Sequence, residues 1–291
     1  MSDHQTKKPA RHNEQHLHVD RWQQLRQFTA ARIGLGRAGT SLPTSELLRF
    51  QLAHAQAIDA VHASLDSTQL IDDLQVLTYM NEPLNILSVQ SEATERLIYL
   101  QRPDLGRNLS EASAYQLQQY RSDSPVDVAI VVADGLSATA VHKQVPPFLS
   151  ALLARLTRAN KAWQLAPLCI AQQGRVAIGD DIAEQLNAQM VVVLIGERPG
   201  LSSPDSLGIY LTWAPKRGFD DAKRNCISNV RHAGLTPDKA AHRCAYLMEN
   251  ARNKQISGVA LKDRSDDAIT DKLPLSRVFM LSAQCVGDNT E

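Results

Sequence analysis

The alternation of apolar, strand-like runs with helix-like segments after residue 125 is the feature that most constrains the fold. Four apolar runs follow one another: VDVAIVVADG (126–135), WQLAPLCIA (163–171), QMVVVLIGERPG (189–200) and SLGIYLTW (206–213). Helix-like stretches lie between or after them, at residues 146–160, 180–188 and 236–255. Such alternation indicates parallel βαβ units, whose right-handed crossovers build an open sheet covered on both faces. The sequence therefore predicts an α/β fold with a Rossmann-like, doubly wound, mostly parallel sheet.

A helical period dominates the chain before this region. In TSELLRFQLAHAQAIDAVHASL the apolar residues recur at steps of three or four and form one stripe on a helix: Leu48, Leu52, Ala55, Ile58, Val61 and Leu65. The first 20 residues are polar and are expected to form a disordered tail. The predicted organisation is a tail (1–20), a helical N-terminal domain (21–120), the Rossmann-like domain (121–262) and a C-terminal extension (263–291) with no assigned role.

Charge and cysteine content exclude several classes of protein. The chain carries 31 basic and 31 acidic residues, so nothing draws it broadly toward nucleic acid or an anionic membrane. No apolar run approaches the length of a membrane span. The cysteines lack a C-x-x-C pair, which indicates reduced thiols in a cytoplasmic compartment: Cys169, Cys226, Cys244 and Cys285. The histidines of the N-terminal tail have no regular spacing, and no metal site is predicted.

Residues 34–39 read GLGRAG, which has the G-x-G-x-x-G spacing of a dinucleotide-binding loop. In such a loop the first glycine ends a buried strand and the third begins a helix. Here RWQQLRQFTAARI reads as a helix before the glycines, and TSLPT separates them from the next helix. We therefore interpret the segment as a linker between helices.

The segments that follow the predicted strands are the candidate ligand site, because open α/β sheets bind ligands beyond the carboxyl ends of their strands. They are residues 134–137, 174–176 and 196–200. Asp134, followed by Gly-Leu-Ser, resembles an acidic active-site loop, although no matching histidine or second carboxylate is apparent. Glu197 either pairs with the neighbouring Arg198 or faces a neutral ligand rich in N–H donors. No Walker A, G-x-S-x-G or H-E-x-x-H motif occurs, so the residues alone predict a Rossmann-like binding domain without obvious catalytic machinery.

Seven phrases carry a family resemblance: RIGLGRAGTSLPT, YLQRPDLGR, VVADGLSATAV, QQGRVAIGDDI, VVVLIGERPGLSSPDSLGIYLTW, RNCISNVR and ISGVALK. Together and in this order they closely resemble the small-subunit family of ethanolamine ammonia-lyase, an adenosylcobalamin-dependent enzyme. The resemblance covers residues 20–262.

The resemblance implies a hetero-oligomer in which this chain pairs with a larger subunit carrying a TIM barrel. Adenosylcobalamin would lie between the two subunits, with its lower part and nucleotide tail held by the Rossmann-like domain. The family's cofactor contacts carry over to Val176, Glu197 and Cys226. Val176 and Glu197 lie in the strand-exit segments selected above. Because the sequence lacks the D-x-H-x-x-G pattern with which some other cobalamin proteins replace the lower base, a base-on cofactor is expected.

The resemblance also implies the reaction, in which the cofactor supplies the radical chemistry that converts ethanolamine into acetaldehyde and ammonia. The groups that contact the substrate would belong to the large subunit, so no catalytic residue is assigned to this chain. Members of this family are often housed in a bacterial microcompartment within the cytoplasm. The N-terminal tail, however, shows no clear amphipathic helix that would indicate delivery there.

Two other classes of function are alternatives. One is a stand-alone Rossmann oxidoreductase that uses a nicotinamide cofactor, and the absence of a predicted strand before Gly34 counts against it. The other is a scaffold protein that keeps the fold and binds no cofactor. The match at Val176, Glu197 and Cys226 counts against the scaffold.

Overall fold

The structure is a computed structural model that describes residues 17–266. Its strands are β1 (Leu17–His18), β2 (Arg37–Ala38), β3 (Thr78–Tyr79), β4 (Glu82–Pro83), β5 (Ile86–Gln90), β6 (Ala129–Ala133), β7 (Leu168–Gln172), β8 (Met190–Gly196), β9 (Leu207–Trp213) and β10 (Arg224–Val230). Its α-helices are α1 (Thr44–His62), α2 (Ser67–Gln75), α3 (Arg96–Gln101), α4 (Glu111–Gln118), α5 (Ala138–Thr157), α6 (Ile178–Gln185) and α7 (Pro237–Lys254). The fold is mixed α/β, as predicted.

The main sheet has six strands in the order β10-β9-β8-β6-β7-β5. The pairs β5–β7, β7–β6 and β6–β8 are parallel, which confirms the expectation of a mostly parallel sheet. The pairs β8–β9 and β9–β10 are antiparallel. The fourth predicted run is therefore a strand but does not extend the parallel array. The reason is that no crossover helix separates β8 from β9, and a short connection can join only antiparallel neighbours.

The central strands are built from continuous apolar runs because they are covered on both faces. Every residue of β6 and β8 is buried. Apolar residues of α2, α5 and α7 join one face of the sheet in a single core cluster, and those of α4 and α6 join the other face. Helix α5 begins earlier than predicted, since Ser137 caps it by accepting a hydrogen bond from the backbone N–H of Ala140 at 3.1 Å.

The region before residue 121 contributes a strand as well as helices. Strand β5 pairs with β7 along its whole length and forms one edge of the main sheet. The predicted helix of this region is present as α1, but its apolar stripe is largely exposed: Leu48 by 58%, Leu52 by 60% and Ile58 by 45%. The assignment of residues 21–120 to a separate domain stays a prediction. The C-terminal extension lies outside the described residues from residue 267 onward.

The GLGRAG segment lies between a 3-10 helix (Arg21–Gln27) and α1, in agreement with its interpretation as a linker, but its Arg37–Ala38 also form β2 and pair with β1. Gly34, Gly36 and Gly39 all have positive φ angles, of 57°, 73° and 62°, which explains why glycine is used there. No strand leads into Gly34, so the segment lacks the geometry of a dinucleotide loop. Within residues 17–266 we find no helix whose length and apolar character would let it cross a membrane.

Candidate functional site

The three predicted strand-exit segments lie at the same edge of the sheet. They follow β8, β6 and β7, which are neighbours in that order. Asp134 follows β6, Val176 lies in the segment after β7, and Glu197 follows β8 directly. Their surroundings differ sharply, and the two sides of this edge are described in turn.

The exit of β6 and β7 is closed by a buried polar network centred on Asp134. The Asp134 side chain is inaccessible, and its Oδ2 lies 3.3 Å from Nη1 of Arg96. The backbone N–H of Gly174 donates to Asp134 Oδ1 at 3.0 Å. Arg96 also donates to the carbonyl oxygens of Gly135 and Val61, at 2.8 and 2.7 Å, and so ties the end of α1 to this edge.

This network corrects the expectation that Asp134 resembles an open active-site loop. Burial raises the pKa of Asp134 to about 6, although Arg96 and the backbone N–H groups favour the ionised form. Tyr99 is fully buried beside it, with the guanidinium groups of Arg96 and Arg175 at 5.0 and 4.3 Å from its ring centroid. The Asp134 side chain, 1% exposed, is thus held within the network and is not presented at the surface.

The exit of β8 is open by comparison. Glu197 is only partly buried, and its Oε2 accepts a hydrogen bond from Ser206 Oγ at 2.5 Å. The backbone N–H of Asn229 lies 3.3 Å from the same oxygen. Among the described residues the partners of the Glu197 carboxylate are Ser206 and Asn229, whereas Arg198 is exposed, so the ion-pair alternative is not observed. A carboxylate offers about four acceptor positions, and Glu197 therefore keeps capacity for a ligand.

Beside Glu197, strands β9 and β10 present a surface that we call the β9–β10 platform: Glu197, Gly208, Tyr210 and Cys226. Cys226 lies opposite Tyr210 in the strand pair, and the thiol and hydroxyl are hydrogen-bonding neighbours. Gly208 shares a face of β9 with Tyr210 because alternate residues of a strand point the same way. A Cβ atom on Gly208 would lie 3.1 Å from Glu197 Oε1 and 3.2 Å from Tyr210 Cε2. Glu197 and Tyr210 therefore lie side by side over Gly208, which is itself buried.

Val176 lies on the same face of the sheet as the platform, two residues before helix α6 begins. Val176 and Tyr210 pack against the same buried apolar cluster. An ion pair fixes α6 to β10, because Arg224 donates to both carboxylate oxygens of Asp180 at 2.8 and 2.7 Å. Both side chains are 1% exposed. The fold thus brings Val176, Glu197 and Cys226 to one side of the sheet.

The platform is polar but neutral apart from Glu197. Cys226 is exposed as a residue, but desolvation of its thiol beside Tyr210 raises the pKa, and Glu197 and Asp221 act in the same direction, so the thiol stays protonated at neutral pH. Burial likewise raises the pKa of Tyr210, and its hydroxyl keeps its proton. A carboxylate, a thiol and a phenol on the face that also carries the apolar Val176 suit a neutral ligand with N–H donors. Across residues 17–266 no group of three or more His, Cys, Asp or Glu side chains is arranged to hold a metal ion.

Sequence reasoning missed Tyr210 and the Arg224–Asp180 pair. The alternation in LGIYLTW is a signal that Gly208 and Tyr210 share a face, but it does not say which strand lies beside them. The pair joins residues 44 positions apart, and no local pattern marks such a contact.

Comparison with known proteins identifies the family. The family model of the ethanolamine ammonia-lyase light chain (EutC) matches residues 19–262. The small subunit of ethanolamine ammonia-lyase from Pseudomonas aeruginosa (strain LESB58) is 51% identical over 264 residues, which cover 90% of this chain and 94% of that relative. The same subunit from Pseudomonas fluorescens (strain Pf0-1) is 54% identical over 84% of this chain and 87% of its own length. The chain belongs to the ethanolamine ammonia-lyase light chain family.

Proposed function

We propose that this chain is the cofactor-holding small subunit of an ethanolamine ammonia-lyase, a carbon–nitrogen lyase. In this proposal Val176, Glu197 and Cys226 hold the lower part of adenosylcobalamin, bound base-on at the interface with the large subunit. The observation that carries the proposal is the convergence of these three positions, from three separate segments, on one side of the sheet. The family match over residues 19–262, from which these positions were carried over, also supports it.

Each of the three side chains has a role that its chemistry allows. The Glu197 carboxylate, steadied by Ser206, accepts hydrogen bonds from primary amides at the edge of the corrin. Val176 packs against the flat, apolar dimethylbenzimidazole. The Cys226 thiol remains protonated and packs against the ligand without reacting. When bound, the cofactor supplies the radical chemistry that turns ethanolamine into acetaldehyde and ammonia.

The large subunit is the partner in this proposal, and its TIM barrel carries the groups that contact the substrate. The exposed apolar residues of α1, including Leu48 and Leu52, support the presence of a partner, because contiguous exposed apolar side chains mark interaction surfaces. Paired large and small subunits then form a hetero-oligomer. The proposed location is the cytoplasm, with or without enclosure in a bacterial microcompartment.

Co-expression with the large subunit tests the function. The complex is purified, adenosylcobalamin and ethanolamine are added, and acetaldehyde is measured. We expect a stable complex and acetaldehyde that depends on both subunits and on the cofactor. Failure of two folded chains to associate or to react would contradict the proposal. A complex that forms but binds no cobalamin would favour the scaffold alternative, and reduction of a nicotinamide would favour the oxidoreductase.

A further inference from the structure

We infer that Tyr210 is a further binding residue for the cofactor, with its ring beneath the lower part of the cobalamin and its hydroxyl hydrogen-bonded to it. The inference rests on the proposed function, since it assumes that cobalamin contacts Glu197 and Cys226. It adds a residue from a strand that contributes none of the three contacts implied by the family resemblance.

The order of the strands carries the inference. Glu197 follows β8, Cys226 lies in β10, and β9 runs between these two strands. The Glu197 side chain lies over Gly208 of β9 and reaches the backbone N–H of Asn229 in β10, while Cys226 lies opposite Tyr210. A ligand that touches both Glu197 and Cys226 therefore lies beside Tyr210. On this face β9 presents Gly208, Tyr210 and Thr212, and Thr212 is covered because its hydroxyl accepts a hydrogen bond from the buried Arg224 at 3.1 Å. Gly208 has no side chain, so Tyr210 is the side chain of β9 that the ligand meets.

The packing, exposure and hydrogen-bond partner of Tyr210 all favour contact with a ligand. One side of the residue packs against the same buried apolar cluster as Val176, which holds the ring in position. Tyr210 is half-buried rather than covered, so part of it remains accessible. Its hydroxyl has the Cys226 thiol as a neighbour, and thiols are weak hydrogen-bond partners. Exchange of that partner for an amide or hydroxyl of the ligand therefore costs little.

The charges nearby define which group the hydroxyl binds. Burial and the adjacent Glu197 raise the pKa of Tyr210, so the phenol stays neutral and can both donate and accept a hydrogen bond. Glu197 would repel a phosphate at this point. The matching group is thus a neutral amide or hydroxyl of the cobalamin, and the matching surface for the ring is an apolar plane.

Two variants separate the ring from the hydroxyl, and both are made in the complex with the large subunit. Cyanocobalamin is the probe, and its dissociation constant is measured by equilibrium dialysis with absorbance detection. We expect Tyr210→Phe to bind about 2- to 12-fold more weakly, the effect of one hydrogen bond. Tyr210→Leu also loses the ring and is expected to bind more weakly still.

Tyr79→Phe is the matched control. Tyr79 is also a half-buried tyrosine with a hydrogen-bonded hydroxyl, which donates to the carbonyl of Trp163 at 2.9 Å. Tyr79 packs against the core cluster on the opposite face of the sheet, so loss of its hydroxyl should leave cyanocobalamin affinity unchanged. A loss of affinity in Tyr79→Phe equal to that in Tyr210→Phe would overturn the inference, since it would mean a general effect on the fold.

The remaining outcomes distinguish the inference from the proposed function. If the wild-type complex does not bind cyanocobalamin, the proposed function itself fails. If the wild type binds, Glu197→Ala weakens binding and both Tyr210 variants bind as the wild type does, the inference alone is overturned. Should Tyr210→Leu lower the unfolding temperature of the complex, Tyr210→Phe decides the matter because it keeps the ring and its packing.

Discussion

Asp134 and Glu197 are carboxylates that follow two neighbouring parallel strands, yet their surroundings are opposite. Asp134 is inaccessible and held by the Arg96 guanidinium and the backbone of Gly174. Glu197 is partly exposed and held by the Ser206 hydroxyl and the backbone of Asn229. The difference teaches that a strand exit is a ligand site only if the rest of the chain leaves it open. Here Arg96, at the start of α3, fills one exit and leaves the other free.

Removal of Arg96 is expected to give the largest effect. Arg96→Leu leaves the buried Asp134 without its cation and the carbonyl oxygens of Gly135 and Val61 without a donor. Breaking a buried ion pair in this way lowers the free energy of unfolding by about 3–5 kcal/mol. Urea unfolding of the variant and of Arg198→Leu, which alters an exposed arginine beside the open exit, measures the contrast. If the two variants had equal free energies of unfolding, Arg96 and Asp134 would not form a buried ion pair in solution.

The pH dependence of stability should come from the closed exit. The pKa of Asp134 is raised from 3.8 to about 6 on folding, so the folded state binds a proton between these values that the unfolded state does not. Stability is therefore expected to decrease as the pH rises from about 4 to about 6, with a slope of at most about 1.4 kcal/mol per pH unit. Urea unfolding across this range should show a weaker slope in Asp134→Asn. An identical slope in both proteins would contradict the raised pKa.

A change at the open exit should affect binding rather than stability. Glu197→Ala removes the acceptor that, in the proposed function, faces the cofactor, and it is expected to weaken cyanocobalamin binding by about 1–3 kcal/mol. The dissociation constant is measured on the complex, beside Glu184→Ala, which removes an exposed glutamate from α6. An unchanged dissociation constant in Glu197→Ala would reject the role of Glu197.

The smallest effect concerns access to Cys226. Among the described cysteines, Cys226 is exposed, whereas Cys169 and Cys244 are buried. In a Cys285→Ser background, we expect cyanocobalamin to slow alkylation of Cys226 by iodoacetamide in the complex, because in the proposed function the cofactor covers the platform. Mass spectrometry of the modified peptide reports the rate. A rate that does not change at saturating cyanocobalamin would remove Cys226 from the site.

The parts of the fold that the sequence predicted are those set by local pattern. Strands β6 and β8 are continuous apolar runs because both faces are covered, and α7 follows the predicted helix closely. Strand β10 was not predicted, since its buried positions recur every third residue and a bulge between Ile227 and Val230 breaks the period of two that indicates a strand. The direction of β9 depends on its partner strand, which local pattern does not specify.

In the candidate site, too, local pattern predicted some residues, and others depend on contacts between distant parts of the sequence. The loops of Val176 and Glu197 follow from the rule that ligands bind beyond strand ends. Cys226 entered through family resemblance alone, because its place opposite Tyr210 depends on the antiparallel pairing of β9 with β10. The closure of Asp134 depends on Arg96, 38 residues away in the sequence, and composition offers no sign of such a partner.

The antiparallel arrangement of β8, β9 and β10 has a consequence for the order of folding. Glu197, Tyr210 and Cys226 come from consecutive strands joined by short connections, so only small loops must close to assemble them. Arg96 must instead find Asp134 and Gln173 across 38 and 77 residues. Because loop closure costs more entropy as loops lengthen, we expect the platform to order first and the neighbouring exit to close later. Pulse-labelled hydrogen exchange during refolding should then protect the amides of β9 before the amide of Gly174.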